Sequence, residues 1–278
     1  MLLDCAGKPL DLSRPAVMGV LNLTPDSFSG DGLGSNVQAA CARAIALQAA
    51  GAAVIDIGGE STRPGAARVS VDEELQRVLP VIECLAPQLR VPISIDTRHA
   101  QVMRAAVAAG AGLINDVAAL REPGALQAAA DLGVPVVLMH MQGEPGTMQQ
   151  APRYVDVVAE VAEFLEARVA ACERAGIARR QLLLDPGFGF GKTTQHNLAL
   201  LRGLPRLAQA GLPMVVGLSR KSLIGALTGA AVTNRLGGSI ALALLAAQRG
   251  ARLLRVHDVE QTMQALAMLE AVQGGDHG

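Results

Sequence analysis

Eight short apolar runs recur along this 278-residue chain, and each gives way to a polar side chain. Ala16–Leu21 ends at Asn22, Ala53–Ile57 ends near Glu60 and Thr62, and Val91–Ile95 ends at Asp96. Gly112–Ile114 leads into Asn115 and Asp116, Val134–Met139 into His140, and Gln181–Leu184 into Asp185. The last two are Met214–Leu218, followed by Ser219, Arg220 and Lys221, and Arg252–Val256, followed by His257. Runs of this length and aliphatic make-up, bounded by Gly or Pro, read as strands buried on both faces. Ala-rich stretches of helical period separate them, at roughly 36–50, 72–89, 99–109, 123–132, 153–175, 195–210, 233–249 and 258–272. A βα unit repeated eight times predicts an α/β chain forming a single-domain (β/α)8 TIM barrel over residues 1–278. Residues 1–14 are expected as a small hairpin or plug beneath it. The C-terminal strand ends of such a barrel converge on one mouth, so the polar residues just named are predicted to face one pocket.

Local signals agree with the alternation. Gly51, Gly110, Gly133, Gly176, Gly211 and Gly250 each fall just after a helical stretch and before a strand, where a left-handed residue closes the helix. Ser70-Val71-Asp72-Glu73 has the form of a capping box, and Asp258 can cap the last helix. Two connections after strands, 22–35 and 58–71, are long and rich in Gly, Ser, Thr and Pro. Loops of that kind at a barrel mouth serve as lids or substrate loops.

A formal net charge of −1 implies neither nucleic acid nor a membrane surface as partner, so an anionic substrate would need a local cluster of bases. The opening residues carry no basic leader or long apolar stretch, and the expected location is the cytoplasm. Cys5, Cys41, Cys84 and Cys172 are far apart with no CxxC pair, so they are expected as small core residues in a reducing compartment.

The stretch LLLDPGFGFGK (182–192) fits neither a Walker A loop, because Pro186 stands where Gly is required, nor a dinucleotide fingerprint, because Lys192 stands where the last Gly would be. What remains is an acid, Asp185, at a strand tip before a tight turn. Asp96, Asn115 and Asp185 could together recognise a planar heterocycle through its N–H edge, since a carboxylate accepts two parallel N–H bonds. The plainer reading of each is a strand-end hydrogen-bond network. Arg63, Lys221, Arg255 and His257 bring positive charge from three strand ends, which suits a phosphate or pyrophosphate, and Ser219 can add a hydroxyl. Arg220 and Arg252 read as solvated surface; Arg255, inside LLRVH, does not, because an unpaired charge there is costly. His140 either faces the mouth or is structural, and His99, His196 and His277 read as surface positions. No transition-metal spacing is present, whereas a loosely held Mg²⁺ is compatible with Asn22, since that ion keeps waters and leans on substrate phosphates. Phe28, Phe188 and Phe190 lie in Gly-rich loops and are expected against a flat ligand or at the mouth; Tyr154 and Phe164 fall in a helical stretch.

At this level of detail the chain resembles the bacterial dihydropteroate synthases over essentially its whole length. The matching stretches are VMGVLNLTPDSFS (17–29), IDIGGESTRPGA (55–66), SIDT (94–97), INDV (114–117), LMHMQGEPGTMQ (138–149), LLLDPGFGFGK (182–192), GLSRKSLIG (217–225) and RVHDV (255–259). The resemblance implies a barrel, usually dimeric, that condenses 6-hydroxymethyl-7,8-dihydropterin pyrophosphate with p-aminobenzoate in folate synthesis, with Mg²⁺ as cofactor and sulfonamides as inhibitors. It assigns Thr62, Asp96, Asn115, Asp185 and Lys221 to the pterin. Asn22, Arg63, Arg255 and His257 go to pyrophosphate, with Asn22 on Mg²⁺. Phe28, Thr62, Arg63, Pro64, Phe190 and Ser219 surround p-aminobenzoate, and Asp185, Lys221 and Arg63 carry the chemistry. Two departures stand out: the first loop reads SFSGDG, which moves the family's acid one place to Asp31, and Arg98-His99 follow SIDT, where they begin a helix and are expected to matter little. A pterin-dependent methyltransferase barrel and a noncatalytic pterin-binding paralogue are the alternatives.

Overall fold

The computed structural model describes residues 1–23, 37–60, 69–144 and 146–274. An antiparallel hairpin, β1 (Leu2–Cys5) and β2 (Lys8–Asp11), opens the chain. Eight parallel strands follow: β3 (Ala16–Asn22), β4 (Val54–Gly58), β5 (Ile93–Asp96), β6 (Leu113–Asp116), β7 (Val136–Met139), β8 (Leu182–Asp185), β9 (Met214–Val216) and β10 (Ala251–Val256). Each pairs with its successor, and β10 pairs back onto β3, closing the barrel. The predicted fold class and the hairpin are both present.

Side chains one residue apart on a strand face opposite sides, and the barrel uses this period throughout. Met18, Val54, Leu113, Val137, Leu183, Val215 and Leu253 point inward and form one apolar layer near the N-terminal end. Leu3, Cys5, Leu10 and Leu12 of the hairpin pack beneath that layer, so the hairpin plugs the bottom of the barrel. Two residues further along each strand the same inward parity delivers Asp56, Asn115, Met139, Asp185 and Arg255. The apolar floor and the polar mouth are therefore one alternation read at two heights. The other strand face packs on α1 (Val37–Ala49), α2 (Val71–Leu85), α3 (Ala100–Ala108), α4 (Ala125–Leu132), α5 (Val157–Arg174), α6 (Thr194–Arg202), α7 (Leu204–Ala208), α8 (Ser222–Thr228), α9 (Leu236–Gln248) and α10 (Val259–Gln273).

The six inter-element glycines all take positive φ, between +66° at Gly133 and +115° at Gly110. Ser70 caps α2 by accepting the Glu73 N–H. Other expectations change. The 195–210 stretch divides at Gly203, because Pro205 in the first turn of α7 can neither donate an N–H nor clear the preceding turn. Asp258 makes no side-chain cap; its carboxylate is taken by Arg220, at 2.5 and 3.1 Å. Tyr154 lies before α5, not in it, with its hydroxyl donating to the Gly191 carbonyl at 3.0 Å. Phe188 is a core residue only 1% exposed, not a mouth residue, because its ring packs into the main apolar core. Cys41 and Cys84 are not separate: α1 and α2 pack side by side and bring the two thiols face to face, their Cα atoms 6.8 Å apart. Cys5 and Cys172 are free and buried as expected.

Candidate active site

The mouth is built from strand ends, and the closed barrel fixes their neighbours. Gly58 is level with Asn22 and with Asp96, Asp96 with Asn115, and Met139 with Asp185. Gly58 lies between Asn22 and Asp96: a Cβ there would sit 3.5 Å from that of Asp96 and 3.8 Å from Asn22 Oδ1, in ordinary contact with both.

The centre of the site is an ion network that sequence reasoning missed in one member. Asp56, in the middle of β4 and fully buried, accepts from Arg255 Nε at 2.7 Å. Arg255 Nη2 donates to Asp96 at 2.7 Å, and Asn115 Nδ2 donates to Asp56 at 3.3 Å. Arg255 thus spans two carboxylates from β10, which explains how LLRVH tolerates a charge. Burial alone would lower the guanidinium's pKa; Asp56 and Asp96 outweigh it, and the net shift is upward. Burial raises the Asp96 carboxyl, with Arg255 opposing. The signal for Asp56 was available, because it shares inward parity with Val54, but it lay inside an apolar run and not at its tip.

Asp185 ends β8 with one oxygen accepting the Gly187 N–H at 2.7 Å. Burial raises its carboxyl, and the Gly187 N–H, then Lys221, Arg255 and Lys192, offset only part of that rise. Lys221 lies across the mouth, its ammonium 4.2 Å from the centroid of the Phe190 ring, a cation–π contact. Burial and then Arg255 bring its pKa down to about 8. The turn that delivers Lys221 is strained: Arg220 has φ +57°, held by Ser239 Oγ on its N–H at 2.9 Å and by Asp258 on its guanidinium. Arg220 is thus a turn-holding residue and not simply solvated.

His257 follows β10. Its backbone N–H donates to Ser219 Oγ at 3.2 Å, and the same hydroxyl lies 3.0 Å from its Nδ1. Burial, with Arg255 next, lowers its pKa to about 4, so the ring is neutral near pH 7. With the Ser219 hydroxyl donating to Nδ1, the ring carries its proton on Nε2, a donor suited to an anion. Val117, Met139, Met141, Met148 and Phe190 form an apolar cluster beside these polar groups.

Several expected residues take other roles. Asp116 turns away from the pocket and caps the N–H groups of Ala118 and Leu120 at 2.7 and 2.8 Å. His140 is structural: it is buried against Lys192, whose ammonium is 2.9 Å from Nδ1. Arg98 and His99 are not incidental. Arg98, only 4% exposed, lies among Glu60, Glu144 and Glu122 at 3.0, 3.5 and 3.9 Å. His99 pairs with buried Glu74 at 2.7 Å, so neither residue is at the free surface. Phe28, Asp31, Thr62, Arg63, Pro64 and His277 lie outside the described residues.

The residues that can hold ligands therefore form a ring of acids and an amide (Asp56, Asp96, Asn115, Asp185) beside a line of bases (Arg255, Lys221, His257) and one apolar wall. Such a ring fits a flat, N–H-rich molecule joined to an anion. Comparisons with known proteins agree. The model of the pterin binding enzyme family matches residues 18–257. Dihydropteroate synthase of Escherichia coli is 54% identical over 271 residues, covering 98% of this chain and 96% of that protein. The Xanthomonas albilineans dihydropteroate synthase solved with 4-aminobenzoic acid is 59% identical, with a TM-score of 0.94 and 99% of each chain covered. The same enzyme solved with 7,8-dihydropteroate superposes with a TM-score of 0.91 at 56% identity, over 99% of this chain and 100% of that one. Set beside the pocket's own chemistry, these likenesses place the chain in the pterin binding enzyme family, among the dihydropteroate synthases.

Proposed function

We propose that this chain condenses 6-hydroxymethyl-7,8-dihydropterin pyrophosphate with p-aminobenzoate, releasing 7,8-dihydropteroate and pyrophosphate. The observation that carries the reading is the Asp56–Arg255–Asp96 network, with Asn115, Asp185, Lys221 and His257 around it at one barrel mouth. Asp96, Asn115 and Asp185 receive the N–H edge of the pterin, and Lys221 covers it. Arg255 and the Nε2–H of His257 meet the pyrophosphate, together with Arg63 of the 58–71 loop. Phe190 and Ser219, with Phe28, Thr62 and Pro64, surround p-aminobenzoate, the site at which sulfonamides would compete.

The charges suggest the order of bond changes. The bond from the pterin methylene to the pyrophosphate oxygen breaks first, leaving a cation conjugated with the ring. An ionised Asp185 at the ring edge opposes that positive charge, while Arg255 and His257 take up the charge of the leaving group. Fixed groups placed where charge develops are usually the largest catalytic term. The aryl amine then bonds to the methylene carbon and gives up one N–H proton, which the released pyrophosphate takes up. The two long loops exclude water at that stage, so p-aminobenzoate enters a site that pterin has already filled.

Asn22 offers a side-chain oxygen beside Gly58 and Asp96, and among the described residues no group of three acids, histidines or cysteines could hold a metal. One neutral oxygen fits Mg²⁺ that keeps its waters and leans on substrate phosphates. When bound there, the ion would neutralise charge on the pyrophosphate.

Release of pyrophosphate measured with and without p-aminobenzoate tests the reading. Release that depends on p-aminobenzoate, matched by dihydropteroate formed, is expected. Pterin binding with no release under either condition would favour a noncatalytic pterin-binding protein, and methyl transfer would favour the methyltransferase.

We also assign a homodimer. It is supported by α9, whose sequence LGGSIALALLAAQ is apolar all round although only Ser239, Ala243 and Ala246 are buried. A helix of that kind is normally covered.

A further inference from the structure

Of the three lysines in the chain Lys192 is the most buried, at 3% exposed. A buried ammonium is expensive unless each N–H has an acceptor. Lys192 Nζ has three close ones: His140 Nδ1 at 2.9 Å, the Gly187 carbonyl at 2.9 Å and the Phe190 carbonyl at 3.1 Å, with the His140 carbonyl further off at 3.4 Å. Burial lowers the Lys192 pKa to about 7, with Asp185 opposing, and below that pH the ammonium's three donors meet three acceptors. An ammonium cannot accept, so in that state His140 Nδ1 accepts and the His140 proton sits on Nε2.

Two of those acceptors belong to the loop between β8 and α6. Gly187, Gly189 and Gly191 take φ of +68°, +81° and +62°, so the loop folds in a way ordinary residues resist. It runs so close to the end of β7 that a Cβ on Gly187 would lie 1.9 Å from the His140 carbonyl oxygen. Asn197 braces the same loop, accepting the Gly189 N–H at 2.8 Å. Phe190 hangs between these struts, its N–H on the Gly187 carbonyl at 3.1 Å and its own carbonyl on Lys192. Its ring meets Lys221 across the mouth.

We propose that Lys192 is a positioning residue: its ammonium pins the Gly-rich loop to the end of β7 and thereby holds the Phe190 ring against Lys221 on the p-aminobenzoate side of the site. The proposal rests on the assignment of Phe190 to that side. A lysine that never touches substrate then sets where the aryl amine is received, and its loss is felt through Phe190.

The test is a double-mutant cycle read in steady-state kinetics and in pterin binding. Lys192→Met is expected to raise KM for p-aminobenzoate about tenfold, with kcat and the Kd for the pterin substrate each within about threefold. Phe190→Leu is expected to raise the same KM, and adding Lys192→Met to it should change that KM less than about twofold, because the two act as one unit. Multiplying effects, an unchanged KM in Lys192→Met, or an equal loss of pterin affinity would overturn the proposal. If Phe190→Leu alone leaves the KM unchanged, the assignment of Phe190 is what fails, and the proposal falls with it. Should Lys192→Met not fold, Lys192→Gln keeps two of the three N–H donors and is expected to give a smaller KM rise of the same kind. The parent enzyme supplies an independent check through ¹⁵N NMR of its histidines. His140 is expected as a neutral Nε2–H ring with a hydrogen-bonded Nδ1 at pH 6, where Lys192 is protonated; an Nδ1–H ring or an imidazolium would show that the pin does not exist.

Discussion

Asp185 carries the most direct residue-scale consequence. Asparagine keeps its shape and can still accept the Gly187 N–H that the aspartate accepts at 2.7 Å, but it brings no charge to the ring edge. Asp185→Asn is expected to leave the melting temperature within a few degrees and to lower kcat by about 10² or more, the scale of one lost electrostatic stabiliser. Turnover within a few-fold of the parent would contradict the role. Lys221 makes a second case, through pH. Its folded pKa of about 8 lies below the unfolded value of 10.5, so between those values the unfolded chain binds more protons and the lysine's contribution to stability rises with pH. Below pH 8 the desolvated ammonium carries its full penalty. Lys221→Met should therefore be more stable than the parent at pH 7, with the advantage shrinking from pH 8 towards 10.5. Denaturant unfolding of both proteins at pH 7 and 10 measures this, and a constant difference would rule it out.

The Gly-rich loop after β8 shows at the scale of the element how much a turn depends on close approach. Gly187 and Gly211 share the left-handed backbone, φ +68° and +72°. They differ in space: a Cβ at Gly187 would strike the His140 carbonyl, whereas nothing lies within 4 Å of one at Gly211. Gly211→Ala is expected to cost about 1–2 kcal/mol, the penalty of a left-handed alanine. Gly187→Ala must also move the β7 end or the loop and is expected to cost well beyond that, with activity lost alongside stability. Chemical denaturation of the two variants compares them directly, and equal losses would show the loop to be softer than its contacts suggest. The elements themselves were largely legible. Strand runs, glycine stops and the Ser70 cap follow from local rules, whereas the break at Gly203 does not follow from helical period, which the 195–210 stretch keeps on both sides of it. Phe188 was misread for a related reason: a Phe among glycines says nothing about which way its loop will fold.

For the molecule as a whole the exposed apolar surface matters most. Leu236 and Leu245 of α9, and Met268 and Val272 of α10, are all more than a third exposed, on two helices that pack together. A covered face predicts a dimer in sedimentation experiments, and Leu245→Glu should shift it towards monomer while the melting temperature of the barrel itself changes little. A monomeric parent protein would refute the assignment.

By itself the sequence determined the barrel, its plug and the height at which polar residues begin, because strand period, helix period and glycine stops are local properties that each segment carries alone. It determined the likeness to the synthases as well, since ordered motifs need no coordinates. Only the tertiary structure decided which charges meet. Asp56 and Arg255 stand 199 positions apart and become partners solely because β10 closes onto β3 beside β4. The same closure gives Lys192 its acceptors and brings Cys41 to Cys84, since contacts between distant segments are set by the geometry of the closed ring and leave no local trace.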